Sequence, residues 1–268
     1  TMYGRRMVQT CAQLPGAFVA RCGDGKEWQR NSDGFIVWVG QGNTPADGIT
    51  KNLWQAVLPA ASAPWGMANS WGMPLVRRDS TIAGTPKPVE NLPLGHALPD
   101  LRWSLGNNLS WRKFSGYVLF DAVKGKDVYN EERHWSFGDF AARDVDQTGR
   151  SVATAKPIGY YWRVGAPDAS GVGGWYDVKS SAMIPLEDAS YLKIREVSVG
   201  YKIGKIAGVG DWTMSLIGRN LKTWSSYRGF DPEVGAGGGN NDSAILNASD
   251  SFAFPNLRSF SLTLTTAF

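Results

Sequence analysis

Along residues 258–268 the chain reads R-S-F-S-L-T-L-T-T-A-F. Apolar Phe260, Leu262, Leu264 and Phe268 fall on one parity, and Ser259, Ser261, Thr263, Thr265 and Ala267 on the other. A period of two predicts a strand with one apolar face. The opposite face is small and polar rather than charged, and the final aromatic belongs to the apolar row. Soluble proteins seldom finish this way. The closing strand of an outer-membrane β-barrel does, because it shows lipid one face and the barrel interior the other, with an aromatic at the interface.

The same alternation recurs upstream. Trp212, Met214 and Leu216 alternate with Thr213 and Ser215; Val197, Val199, Tyr201 and Ile203 with Glu196, Ser198, Gly200 and Lys202; and Leu101, Trp103, Leu105, Leu109 and Trp111 with Arg102, Ser104, Gly106, Asn108, Ser110 and Arg112. Residues 117–124 form a further strand, apolar on both parities. Tight turns are expected at 113–116 and 204–211. At about ten residues and roughly 33 Å each, tilted near 45°, these strands match an apolar band of about 25 Å. Asn107 falls on the apolar row of its strand. Leu192 and Ile194 are out of phase with Val197 and Val199, which predicts a bulge or a segment standing clear of lipid.

Short turns on one side and long connections on the other orient such a barrel. With the C-terminus in the periplasm, the connections 125–190 and 223–255 are extracellular, and Trp111, Tyr117, Tyr201, Trp212 and Phe268 line up as a periplasmic aromatic girdle. An open edge is untenable in hydrocarbon, so the last strand needs a partner from elsewhere in a larger barrel. The fold class expected is all-β: a transmembrane antiparallel β-barrel, this chain supplying the C-terminal strands of a large, plugged, about 22-stranded wall. Residues 98–268 carry these strands and loops, and residues 1–97 are assigned loosely to further barrel strands and outer loops.

Composition agrees. The 268 residues include 32 Gly, 12 Trp, 9 Tyr and 11 Phe, while mean hydropathy is only −0.26. Residues 56–76 are uncharged, but Pro59, Pro64, Pro74, Gly66 and Gly72 make them loop rather than a helical span. The net charge of +4 is too diffuse for nucleic acid. Residues 1–9 contain Arg5 and Arg6 with no apolar run after them, so they are no secretion signal, and the chain reads as the C-terminal piece of a longer one.

Cys11 and Cys22 lie far in sequence from His96 and His134, which argues against zinc and for a loop-closing disulfide in an oxidising compartment, outside the membrane. No catalytic, cofactor-binding or metal-binding constellation is discernible. Asp231-Pro232-Glu233 brings two carboxylates close, as a glycosidase does, but Pro232 also fixes a turn, and the turn is the stronger reading. The run 235–239 with Asn240, Asn241 and Asp242 reads as flexible loop rather than as a calcium or phosphate cradle. Tyr160, Tyr161, Trp162, Trp175 and Tyr176 are either sugar-stacking platforms or loop packing. Trp175, Tyr176, Asp231 and Glu233 are the candidates for contact with ligand or lid.

One family carries these residues in this order. Ala189-Ser190-Tyr191-Leu192-Lys193-Ile194-Arg195-Glu196-Val197-Ser198-Val199-Gly200-Tyr201, then Gly218-Arg219-Asn220-Leu221-Lys222-Thr223-Trp224, Tyr227-Arg228-Gly229-Phe230-Asp231-Pro232-Glu233 and Phe254-Pro255, together resemble the C-terminus of SusC/RagA-type TonB-linked outer-membrane transporters. Leu98-Pro99-Asp100 ahead of Trp103 resembles an earlier part of the same family. The resemblance covers residues 98–268. It implies a plugged barrel importing oligosaccharides or peptides, a SusD-like surface lipoprotein as lid, TonB engaged through an N-terminal part missing here, and barrel-insertion machinery reading the aromatic C-terminal strand. No cofactor is implied. The alternatives are a siderophore or cobalamin receptor on the same architecture, and a structural surface barrel without transport.

Overall fold

The computed structural model describes residues 1–79, 87–89, 91–138, 142–157, 160, 185–233 and 248–267. The chain divides into two compact units, one comprising Thr1–Leu94 and Glu131–Leu186, the other Gly95–Asn130 and Glu187–Phe268.

The second unit holds the alternating sequences. Five strands, β1 (Leu101–Trp111), β2 (Phe114–Lys124), β3 (Tyr191–Ile206), β4 (Val209–Ser225) and β5 (Ser259–Ala267), form one sheet in the order β5-β4-β3-β2-β1. Every neighbouring pair is antiparallel. Both hairpin turns are tighter than the sequence suggested. Trp111 pairs directly with Phe114, leaving only Arg112 and Lys113 in the first turn, with Arg112 at φ 55°. The second turn shrinks to Ala207 and Gly208, at φ 51° and 78°. Positive φ at both central residues gives the twist that matches paired strands, so β3 and β4 zip up to the turn and reach 16 and 17 residues.

Register assigns every face. Because cross-strand partners share a side of the sheet, Phe114, Val118, Phe120 and Ala122 of β2 lie with the apolar row of β1, whereas Tyr117, Leu119, Asp121 and Val123 lie on the polar face. This resolves the strand that looked apolar on both parities. Asn107 does stand in the apolar row, opposite Val118. Leu109, Leu262 and Phe260 are 67%, 70% and 68% exposed, an apolar surface suited to lipid rather than water.

The phase break in β3 is a bulge. Leu119 pairs with Glu196 and Phe120 with Ile194, so Arg195 is the extra residue. Leu192 and Ile194 thereby return to the apolar face, opposite Ala122 and Phe120. The consecutive charges Arg195 and Glu196 both find partners on the polar side, Asp121 and Arg219 respectively. Without the extra residue, one of these charges would face lipid.

The first unit departs from expectation. Residues 1–97 are expected, loosely, to hold barrel strands and outer loops, yet no described strand within them exceeds four residues, and crossing an apolar band takes about ten. This unit is built around buried apolar clusters instead. Val8, Leu14, Trp28, Ile36, Leu58 and Leu75 pack with the half-cystine Cys22, and a second cluster gathers Met7, Phe35, Met73, Phe137 and Tyr160. Cys11 and Cys22 are bonded, with Cα atoms 5.5 Å apart. In the uncharged stretch 56–76 the single turns Ala60–Ser62 and Pro64–Gly66 lie between two short paired strands, Val57–Leu58 and Asn69–Ser70. Among the described residues no helix is long and apolar enough to cross a membrane.

Candidate functional site

The apolar face of the sheet carries aromatic rows at two levels. At the hairpin end Trp111, Phe114 and Tyr201 stand side by side, their ring centroids 6.5 Å and 4.9 Å apart, followed by Met214 and Leu264 in the same row. Trp212 lies one step beyond on the same face, opposite Thr266. At the other end Trp103, Ala122, Leu192 and Trp224 form a matching row. Eight residues separate Trp103 from Trp111, about 27 Å of strand, or about 20 Å of height at a tilt near 40°, which fits within an apolar band of about 25 Å. Tyr117, expected in the girdle, is not in it. Its partners Asn108 and Ser198 place it on the polar face, where its hydroxyl lies over Gly106; a Cβ on Gly106 would come within 3.3 Å of that oxygen. Phe268 lies outside the described residues.

The polar face holds an ion-pair cluster at the end away from the hairpins. Lys193 and Asp121 are cross-strand partners on β3 and β2. Lys193 reaches to the loop after β4, whereas Asp121 turns to Tyr191 and Arg195 of β3. Lys193 Nζ donates to Asp231 Oδ1 at 2.5 Å and Glu233 Oε2 at 3.0 Å. The guanidinium of bulge residue Arg195 grips Glu233 through two nitrogens, with Nη1 2.5 Å from Oε2 and Nη2 on Oε1, and spans to Asp121 Oδ2 at 3.0 Å from Nε and 2.5 Å from Nη2. Arg195 and Lys193 thus serve three carboxylates. Lys193 is 2% exposed and Asp231 6%, so each charge depends on the other.

The turn at Pro232 explains how the acids arrive there. Asp231 Oδ1 also accepts from the Glu233 amide at 3.0 Å, closing an Asx turn, and Asp231 Oδ2 accepts from the Asn256 amide at 3.3 Å. Asn256 Nδ2 adds a bond to Glu233 Oε2 at 3.1 Å. Farther up the loop Tyr227 donates from its hydroxyl to buried Asp250 at 2.7 Å. Burial pushes the Glu233 carboxyl up, but hydrogen bonds from Arg195 and Lys193 and their charges outweigh it and hold the group down at about 2.

This arrangement fastens residues 226–233 to the wall. Asp231, a candidate for contact with cargo or lid, is an interior ion-pair partner instead; Glu233 keeps partial exposure. Of the aromatic candidates, Tyr160 packs inside the first unit, 1% exposed, with its hydroxyl bound to Asn31 and Asp33. Trp175 and Tyr176 lie outside the described residues, as do 161–162 and 235–242. Among the described residues no group of three or more metal-ligating side chains is placed to hold an ion.

Sequence reasoning found the acid pair and missed its partners. Lys193 and Arg195 were visible as two cations alternating with Leu192 and Ile194 where the strand's phase breaks, a signal that acidic partners lie near them. The sequence separation of 38 between Lys193 and Asp231 hid which ones.

No protein-family profile matches the chain. Two curated proteins of Formosa agariphila are similar to it: TonB-dependent receptor P26, 28% identical over 183 residues, 65% of this chain and 18% of the relative, and TonB-dependent receptor P3, 24% identical over 181 residues, 65% and 17%. The chain therefore spans less than a fifth of the length of these relatives. Among solved structures, the RagAB peptide importer in its closed-closed state superposes on the whole chain and 23% of its own, with a TM-score of 0.50 at 15% identity, a likeness of fold. In sequence the chain is similar to these two TonB-dependent receptors, and in fold it is like part of the RagAB peptide importer.

Proposed function

We propose that this chain is the C-terminal barrel wall of a TonB-energised outer-membrane importer whose cargo is an oligosaccharide or a peptide. The observation that carries the reading is the five-stranded sheet with one lipid-suited face and one polar face, in a chain whose curated relatives are TonB-dependent receptors. Hairpins at one end and long connections at the other fit a periplasmic C-terminus, with 125–190 and 223–255 outside. On this reading the polar face lines the lumen, the clamp at Arg195 holds the base of the second outer loop, and a SusD-like lipoprotein closes the outer mouth. TonB acts through an N-terminal part, and insertion machinery reads the last strand.

The test is uptake by cells expressing the full-length protein, with and without TonB, offered labelled oligosaccharides, peptides or ferric siderophores. TonB-dependent uptake of a saccharide or peptide is expected. Uptake of iron chelates alone would make it a siderophore receptor, and no TonB-dependent uptake would leave a surface barrel without transport.

A further inference from the structure

The apolar face of the sheet carries charges of its own, and they are all positive. The acids of the five strands, Asp121, Glu196 and Asp211, stand on the polar face, opposite Ser104, Arg219 and Ala267 respectively. Lys222 of β4 stands on the other face. Its partner is Ile194, whose partner Phe120 faces Leu105, so a lysine completes an otherwise apolar row. Farther along the same strand, Trp224 ends the row of Trp103, Ala122 and Leu192 on that face. The Lys222 ammonium lies 5.9 Å from the centroid of the Trp224 ring, so the side chain runs up the face toward the tryptophan level, away from the apolar centre. Lys124, opposite Leu101, is the other cation of this face; it closes β2 beside Gly125, against which Asp100 lies. Among the described residues no ion pair or side-chain hydrogen bond reaches Lys222.

The wall steps at the same place. β5 pairs with β4 only as far as Ser259 and Arg219, so among the described strands residues 220–225 pair with β3 alone, and Lys222 and Trp224 are both exposed beside the step. Leu257, whose carbonyl accepts from Asn220 Nδ2 at 3.1 Å and which is 74% exposed, borders it. An ammonium set among apolar side chains is unfavourable in lipid unless it reaches the interface and meets an anion there. The lysine stem lies along apolar surface, the tryptophan ring holds the ammonium at the headgroup level, and phosphate is an anion that a membrane surface presents. We infer that Lys222 and Trp224 form a docking site for the phosphate of a membrane-lipid headgroup, with the acyl chains against the row of Ile194, Phe120 and Leu105. The site requires the apolar face to meet lipid, and the choice of leaflet rests on the topology proposed above, which puts it in the outer leaflet, where the phosphate belongs to lipid A.

Intact full-length protein in detergent would be titrated with diphosphoryl lipid A and with its enzymatically dephosphorylated twin. The phosphorylated lipid should bind about fivefold tighter, the worth of one lysine at a charged membrane surface. K222Q protein that still shows the heat-modifiable migration of a folded barrel should lose that advantage. K222R should keep it, and so should K202Q, whose lysine stands on the polar face opposite Thr213. Equal binding of the two lipids, an advantage that survives in K222Q, or one that falls equally in K202Q would overturn the site. Displacement of the lipid by an equal concentration of inorganic phosphate would overturn its assignment to a headgroup, and a preference confined to phosphatidylglycerol would overturn the leaflet. TonB-dependent uptake measured on the wild-type protein keeps the two readings separate: an importer without the lipid preference loses only this site, and a barrel without uptake still holds the lipid.

Discussion

Arg195 Nη1 lies 2.5 Å from Glu233 Oε2, so the one extra residue of the β3 bulge is also the residue that secures the loop after Pro232. A bulge usually re-aims a side chain. Here it turns a guanidinium toward Asp121 on the neighbouring strand and Glu233 on the loop together. Replacing Arg195 by Ala should leave two acids facing each other and cost about 3 kcal/mol, whereas E233Q, which leaves the Asp121 contact intact, should cost less. Urea unfolding of the folded barrel would rank the two variants. Equal midpoints would show that Arg195 is held by packing alone.

Acid should loosen the same junction. The Glu233 carboxyl is depressed in the folded protein to about 2 from an ordinary 4.5, so its contribution is complete above the unfolded value and is lost as pH falls from about 4.5 through about 2. Hydrogen exchange of residues 226–233 should therefore accelerate across that window in wild-type protein. In E233Q protein, exchange should be faster at neutral pH and flatter with acid. A wild-type profile that stays flat down to pH 2 would contradict the assignment.

The Cys11–Cys22 bond closes a short loop beside Trp28 and Leu14 in the first unit. Loop-closure entropy for a separation of this order corresponds to about 3 kcal/mol. Reduction, or C11S/C22S substitution, should lower the unfolding midpoint of the first unit while the β-sheet of the second unit keeps its resistance to heat. Proteolysis in rising temperature, read separately in each unit, distinguishes the two. Simultaneous loss of both units would show that they unfold as one.

The sheet was legible because its physics is local. A side-chain period of two survives in the sequence wherever one face meets lipid, and so Leu101–Trp111 and Ser259–Ala267 could be read directly. Turn lengths were not legible: Ala207 at positive φ is no sequence signal, whereas the flanking Gly204 and Gly210 suggested a longer connection. Tyr117 misled for a related reason, since an aromatic near a strand end fits a girdle or a lumen equally until register fixes its face. The first unit was illegible because strands of two or three residues have no period, and because its core joins segments as distant as Phe35 and Phe137. The clamp required knowing that β2, β3 and the 226–233 turn meet, a fact of topology rather than of pattern.

The face assignment itself makes the last prediction, on two adjacent residues. Leu262 pairs with Leu216 on the apolar face, and Ser261 pairs with Ile217 on the other. Both side chains are exposed in this chain, so burial alone does not distinguish them; only the surroundings do. A lysine on the lipid face near mid-membrane costs about 2–4 kcal/mol, whereas a lumen position is wetted. Leu262→Lys should reduce the fraction of folded, heat-modifiable barrel recovered from membranes, and Ser261→Lys should leave it near wild type. The reverse ranking would mean that the sheet presents its Ser and Thr face to lipid. Equal, small effects from both would place this part of β5 outside the bilayer, and with it the level inferred from Trp103 and Trp111.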